Sequence, residues 1–217
     1  MILYNPNNTD IINKRIEECR KILLSLSAKY CFITGSFLYN KDYKDIDVFV
    51  ISRTKKEIKV DNPKVNIIKI DFNDLYSLFY HSVSKSCIAK NILLKKPLKI
   101  TLADYWNIIN ETVPSVLNNK KTFRKEIRFV VLYTEYFKTN HIFDSFELMK
   151  KISEFNNYKE FLNYLSENIP EIVAKHIKRS YVKRYFYTQA GAYKELFEYD
   201  SHRYLYDLAH KIIEKAA

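Results

Sequence analysis

The chain has 217 residues, 47% of them hydrophobic and 28% charged, a balance that builds a packed core and excludes wholesale disorder. Lys and Arg number 36 against 25 Asp and Glu, and the net charge of +11 favours a polyanionic partner such as nucleic acid or nucleotide. Three widely spaced cysteines, apolar runs too short for a bilayer and a polar, Asn-rich Met1–Asp10 argue against a disulfide scaffold, a membrane protein and a secreted one, so a cytoplasmic setting is expected.

Ile12, Ile16, Cys19, Leu23 and Leu26 recur at steps of four and three, which predicts an amphipathic helix over 10–27. Tyr30-Cys31-Phe32-Ile33-Thr34 is too short for a helix and rich in strand formers, and it ends at Gly35-Ser36. After a polar stretch, Asp45-Ile46-Asp47-Val48-Phe49-Val50-Ile51 alternates and then turns wholly apolar, as a strand buried at its far end does. A third strand is predicted at 65–71, after the turn Asp61-Asn62-Pro63, and a helical period runs from Asn73 through Ile88.

Beyond Pro97 no strand is expected. Helices are predicted at 101–113, 121–138, 144–155, 158–167, 170–187 and 193–215, with breaks at Pro114, Asn118-Asn119, Asn140, Asn156-Asn157 and Pro170. The reading is an α+β protein: a small mixed-sheet domain over 1–97 followed by an α-helical bundle over 98–217.

The chemistry concentrates between the first two strands. Average usage would give a chain of this length about fifteen glycines, yet only Gly35 and Gly191 occur, so the backbone at Gly35 is expected to require one. There, free N–H groups and the Ser36 hydroxyl can hold phosphate oxygens. Asp45 and Asp47 alternate along a strand and so point to one side. Two neighbouring carboxylates repel, a divalent cation relieves the repulsion, and oxygen ligands without His or Cys select Mg²⁺ or Mn²⁺. Asp71, at the end of the third strand, is the candidate third carboxylate of a two-metal site. Asp74 is explained adequately as a helix cap.

Gly35-Ser36, eight intervening residues and then Asp45-Ile46-Asp47-Val48-Phe49-Val50 resemble the signature of the DNA polymerase β-like nucleotidyltransferase superfamily. The resemblance covers roughly residues 10 to 95, and the helical remainder is only generically similar to the C-terminal bundles of some members. It implies a minimal nucleotidyltransferase-type domain in which Gly35 and Ser36 hold the triphosphate of an NTP. Asp45, Asp47 and Asp71 would bind two metals and carry catalysis, with the third acid supplied near the end of the strand after the Asp-x-Asp strand.

In the helical half, Lys175, Lys178, Arg179, Lys183 and Arg184 form an acid-free basic run interleaved with Tyr181, Tyr185 and Tyr187. That composition suits a phosphate backbone with base stacking, and equally a solvated helix face. The expected activity is transfer of a nucleotidyl group to an acceptor hydroxyl, with RNA, tRNA-like, as the acceptor. Nucleotidylation of a protein or small molecule, or nucleic-acid binding without turnover, are the alternatives. The five histidines show no metal-ligand spacing.

Overall fold

The computed structural model describes residues 1–4, 9–53, 58 and 60–216, and the rest of the polar N-terminal stretch lies outside the described residues. Within them the chain divides into two units, Met1–Ile100 with Ile142–Met149, and Thr101–His141 with Lys150–Ala217. The chain leaves the first unit between Ile100 and Thr101 and returns to it for one short segment. What the sequence did not disclose is that Ile142–Met149 belongs to the first unit.

The first unit is a mixed sheet with helices. In chain order it holds β1 (Ile2–Tyr4), α1 (Thr9–Ser25), β2 (Tyr30–Thr34), α2 (Ser36–Tyr39), β3 (Ile46–Ile51), β4 (Val65–Ile70), a 3₁₀ turn at Asp74–Tyr76, α3 (Leu78–Lys85) and β5 (Cys87–Ala89). The sheet order is β1-β5-β2-β3-β4, with β3 and β4 parallel and the other pairs antiparallel. Strand alternation sorts its side chains into two cores. Cys31, Ile33, Ile46, Val48 and Val50 pack with Ile12, Cys19 and Leu23 of α1 and with α2. Phe32, Phe49, Ile51 and Ile70 pack with Tyr80 and Val83 of α3 on the other side. Phe32 stacks on Phe49 at 5.1 Å between ring centroids and meets Tyr80 edge-on at 6.2 Å.

Two strands were not anticipated. β1 and β5 have three residues each, too short to show an alternation, and the predicted helix through Ile88 ends at Lys85. Ser86 leaves the helix, Cys87, Ile88 and Ala89 are buried, and pairing with β1 and β2 satisfies their backbone.

The second unit contains α4 (Leu102–Asn118), α5 (Phe123–Glu126), α6 (Arg128–Thr139), α8 (Tyr158–His176), α9 (Arg179–Lys194) and α10 (Asp200–Lys215); α7 (Ser145–Ser153) begins in the first unit. Thr101 and Asp104 form a reciprocal capping box that starts α4. Asn140 ends α6 in the left-handed region at φ 56°, a conformation Asn tolerates better than most residues. Pro114 and Pro170 lie inside α4 and α8, where breaks were expected. Each proline forfeits one intrahelical bond, but Val113, Val116, Ile169 and Ile172 beside them are buried, and that packing keeps the helices continuous. The break falls instead at Ile177-Lys178.

Two buried tyrosine hydroxyls of this unit are paired. The Tyr105 hydroxyl meets Thr134 Oγ1 at 2.5 Å, and the Tyr164 hydroxyl donates to Glu135 Oε1 at 2.6 Å. Burial pushes the Tyr193 hydroxyl up to about 12. In the first unit it pushes Cys31 up to about 11, and Cys19 and Tyr39 up to about 12. Such groups ionise first in the unfolded chain, near pH 8.5 for thiols and about 10 for phenols. Their stabilising contribution is present in full below those values and is lost as pH rises toward the folded-state values. The urea midpoint is therefore expected to be flat from pH 7 to 8 and to fall steadily between about pH 9 and 12. A midpoint unchanged at pH 10.5 would contradict these burials.

Candidate functional site

Gly35 follows β2 directly and adopts φ 86°, ψ −159°, a region essentially restricted to glycine. The chain then turns into α2, whose Phe37, Leu38 and Tyr39 are buried, with Leu38 N–H donating to Gly35 O at 3.0 Å. Tyr39 anchors this turn from below, its hydroxyl donating to Ser86 O at 2.8 Å. Ser36 is half-buried at the start of α2.

Arg15 of α1 holds the return loop. Its guanidinium donates to Asn40 O at 3.0 Å and Lys41 O at 2.9 Å, and lies over the rings of Phe37 and Tyr43 at 4.6 and 4.3 Å. The loop delivers Asp45 to the mouth of β3, where Ile46 N–H donates to Lys64 O at 2.8 Å. Asp45 and Asp47 are both half-buried and flank the fully buried Ile46, so strand alternation sends the two carboxylates to the side opposite Ile46. That is the side of Phe32 and Phe49, at the edge of their core.

Register then assembles a row of three polar residues. Asp47 pairs with Thr34 of β2 and with Asn66 of β4. Asn66 Nδ2 donates to Asp47 Oδ1 at 2.9 Å. The other oxygen, Oδ2, sits 3.6 Å from where a Cβ on Gly35 would lie. Thr34 is buried, and its hydroxyl donates to Ser86 O at 2.7 Å. Gly35, with Ser36 next to it in the chain, is thus brought to the Asp47 carboxylate, and Asp45 stands two residues before Asp47 at the entry to β3.

Asp71 is not. Because β3 and β4 run parallel, the end of β4 is level with the end of β3, and Asp71 lies five residues past Asn66. At about 3.3 Å per residue that is roughly 16 Å along the sheet. Asp71 instead shapes a turn: its Oδ1 accepts from Asn73 N–H at 2.9 Å, and its own N–H donates to Asp74 Oδ2 at 3.0 Å. The β4 residue beside Asp47 is the amide Asn66, and among the described residues no group of three His, Cys, Asp or Glu side chains is placed to hold a metal. The sequence signal for Asn66 is a polar residue inside an otherwise aliphatic Val65-Asn66-Ile67-Ile68 strand.

In the second unit the basic run spans a helix junction. Lys175 lies in the last turn of α8, Lys178 precedes α9, and Arg179, Lys183 and Arg184 lie in the first turns of α9. All are exposed except the half-buried Lys183. Of the interleaved tyrosines, Tyr181 is 67% and Tyr187 56% exposed.

Comparison with protein-family models, with characterised proteins and with solved structures returns no match, so the chemistry is read from this chain's own residues and geometry.

The contact at 3.6 Å leaves ordinary room for a Cβ at Gly35, so the need for glycine there is conformational. Gly35→Ala is expected to cost about 1–3 kcal/mol of stability, the cost of holding a non-glycine residue in that region. Urea denaturation of the full chain checks it, and a wild-type midpoint would show that the turn relaxes.

Proposed function

We propose that the chain is a metal-dependent nucleotidyltransferase that moves a nucleotidyl group from an NTP to a hydroxyl of an RNA acceptor and releases pyrophosphate. The observation that carries this reading is the glycine-only turn at Gly35 set against the Asp47 carboxylate. It joins a backbone shape suited to phosphate with a carboxylate pair suited to a cation. The resemblance of Gly35-Ser36 and Asp45-x-Asp47 to the nucleotidyltransferase signature supports it, as do the net charge of +11 and the basic run from Lys175 to Arg184.

The donor set fits one hard divalent cation, Mg²⁺ or Mn²⁺, on Asp45 and Asp47. When bound, such a cation neutralises phosphate charge and lowers the pKa of an acceptor hydroxyl. Asn66 fixes the rotation of the Asp47 carboxylate through Oδ1 and turns Oδ2 toward Gly35. Backbone N–H groups after Gly35 and the Ser36 hydroxyl donate to the phosphates that leave as pyrophosphate. The acceptor oxygen bonds to the α-phosphorus, the bridging P–O bond breaks, and the acceptor proton passes to solvent. Asp71 has no part in these steps.

One observation favours a second reading. With Asn66 rather than an acid beside Asp47, the chain would bind metal and nucleotide without turnover.

Incubation with each labelled NTP, Mg²⁺ or Mn²⁺, and total cellular RNA decides between the two. Label in RNase-sensitive product together with released pyrophosphate supports transfer, label in protein moves the acceptor to a side chain, and saturable NTP binding with no pyrophosphate supports the second reading. Asp45→Asn combined with Asp47→Asn is expected to abolish transfer, at least 100-fold, while the folded circular-dichroism spectrum is kept. Transfer that survives excess chelator would remove the cation from the mechanism.

A further inference from the structure

The second unit contains a groove of about 340 Å³ whose floor and walls include Trp106, Ile169, Val173, Tyr181, Tyr185 and Phe186. We infer that it seats an unpaired base of a single-stranded nucleic acid, with the adjoining phosphates held by Lys178 and Arg184. The inference deepens the RNA-acceptor reading by assigning the surface that selects the strand.

The floor is aromatic and dry. Trp106 and Phe186 are 3% and 2% exposed, with rings 4.8 Å apart in an edge-on contact, and Tyr185 meets Phe186 edge-on at 5.1 Å. The rim is aromatic and wet, since Tyr181 and Tyr185 are 67% and 42% exposed. They stand at i and i+4 of α9 and so share a face. A pair of open tyrosine rings above an apolar floor suits a flat base, because every base offers a π face to stack. The volume lies at the small end of small-molecule sites and is too small to bury a helix.

Charge identifies the occupant as anionic and divides the basic run in two. Lys178, just before α9, adjoins the groove-lining Ile177, and Arg184 lies about 60° from Tyr181 on the side away from Val182 and Phe186. Arg179 and Lys183 lie about 20° and 60° beyond Phe186, at the buried border of the groove and away from the open tyrosine rim, and Tyr187 leaves the groove. Along the segment that carries the cations no acid occurs between Glu171 and Glu195, and Glu171 is paired with Lys215 at 2.5 Å. Asp104, on the helix that supplies Trp106, is engaged in its capping box with Thr101.

Trp106 is the chain's only tryptophan, so its fluorescence reports on the groove. The full chain is titrated, without NTP or divalent cation, with a 12-nucleotide oligo(A) RNA and with a 12-base-pair RNA duplex. A saturable change in tryptophan emission is expected with the single strand and not with the duplex. Tyr181→Ala with Tyr185→Ala is expected to weaken single-strand binding at least tenfold, while Tyr181→Phe with Tyr185→Phe retains it, as stacking requires. Lys178→Ala with Arg184→Ala is expected to lower the slope of log affinity against log salt by about 1.4, two phosphate contacts at about 0.7 each. Arg179→Ala with Lys183→Ala is expected to lower it by less than half of that.

Equal binding of duplex, an alanine pair within twofold of wild type, or a phenylalanine pair as weak as the alanine pair would each overturn the inference. So would an emission change produced by a long-chain fatty acid or an acidic peptide and not by RNA. Nucleotidyl transfer by wild-type protein whose tryptophan ignores RNA would remove the groove and leave the enzyme standing. A responsive groove in a protein that transfers nothing would do the reverse.

Discussion

The antiparallel pairing of β2 with β3, entered through the turn at Gly35, is the constraint on which the candidate site depends. Its register sets Thr34 opposite Asp47, and the parallel pairing of β3 with β4 sets Asn66 on the other side of the same carboxylate. A slip of one residue would send Asp45 and Asp47 into the core of Ile46, Val48 and Val50. Unpaired carboxylates there would carry a heavy desolvation cost, so burial of the aliphatic face and exposure of the acids enforce one alignment. Gly35 supplies the backbone shape that lets this short connection close, and Arg15 secures the return loop by two carbonyl contacts and two ring contacts.

The same constraint decides which acids can act together. A parallel neighbour brings like ends of two strands level, so only a residue near the start of β4 can join a pair at the start of β3. That residue is Asn66. An amide donates to a carboxylate where an acid would repel it, and here it holds Asp47 in one orientation. The arrangement is a carboxylate beside an amide and not a three-carboxylate cluster.

In the helical unit the decisive constraint is the helical period. Five basic residues that look like one patch along the sequence are split between the end of α8, the junction and different faces of α9. Tyr181 and Tyr185 border an apolar groove, whereas Tyr187, only two residues on, turns away from it. Exposed aromatic rings flanked by cations form a surface of a different character from a uniformly solvated helix face.

Hydrophobic period and residue type determined by themselves the strands at 30–34, 46–51 and 65–70, the first helix, and the change from a mixed sheet to helices along the chain. These are local properties, because alternation and helical spacing act over a few residues. Tertiary structure decided the rest. Burial of Val113, Val116 and Ile169 carried α4 and α8 through their prolines against local preference, and pairing with β2 drew Cys87–Ala89 out of a helical pattern. Strand direction placed Asn66 rather than Asp71 beside Asp47. Whether two strands run parallel or antiparallel depends on partners distant in sequence, and no window short enough to show an alternation contains that information.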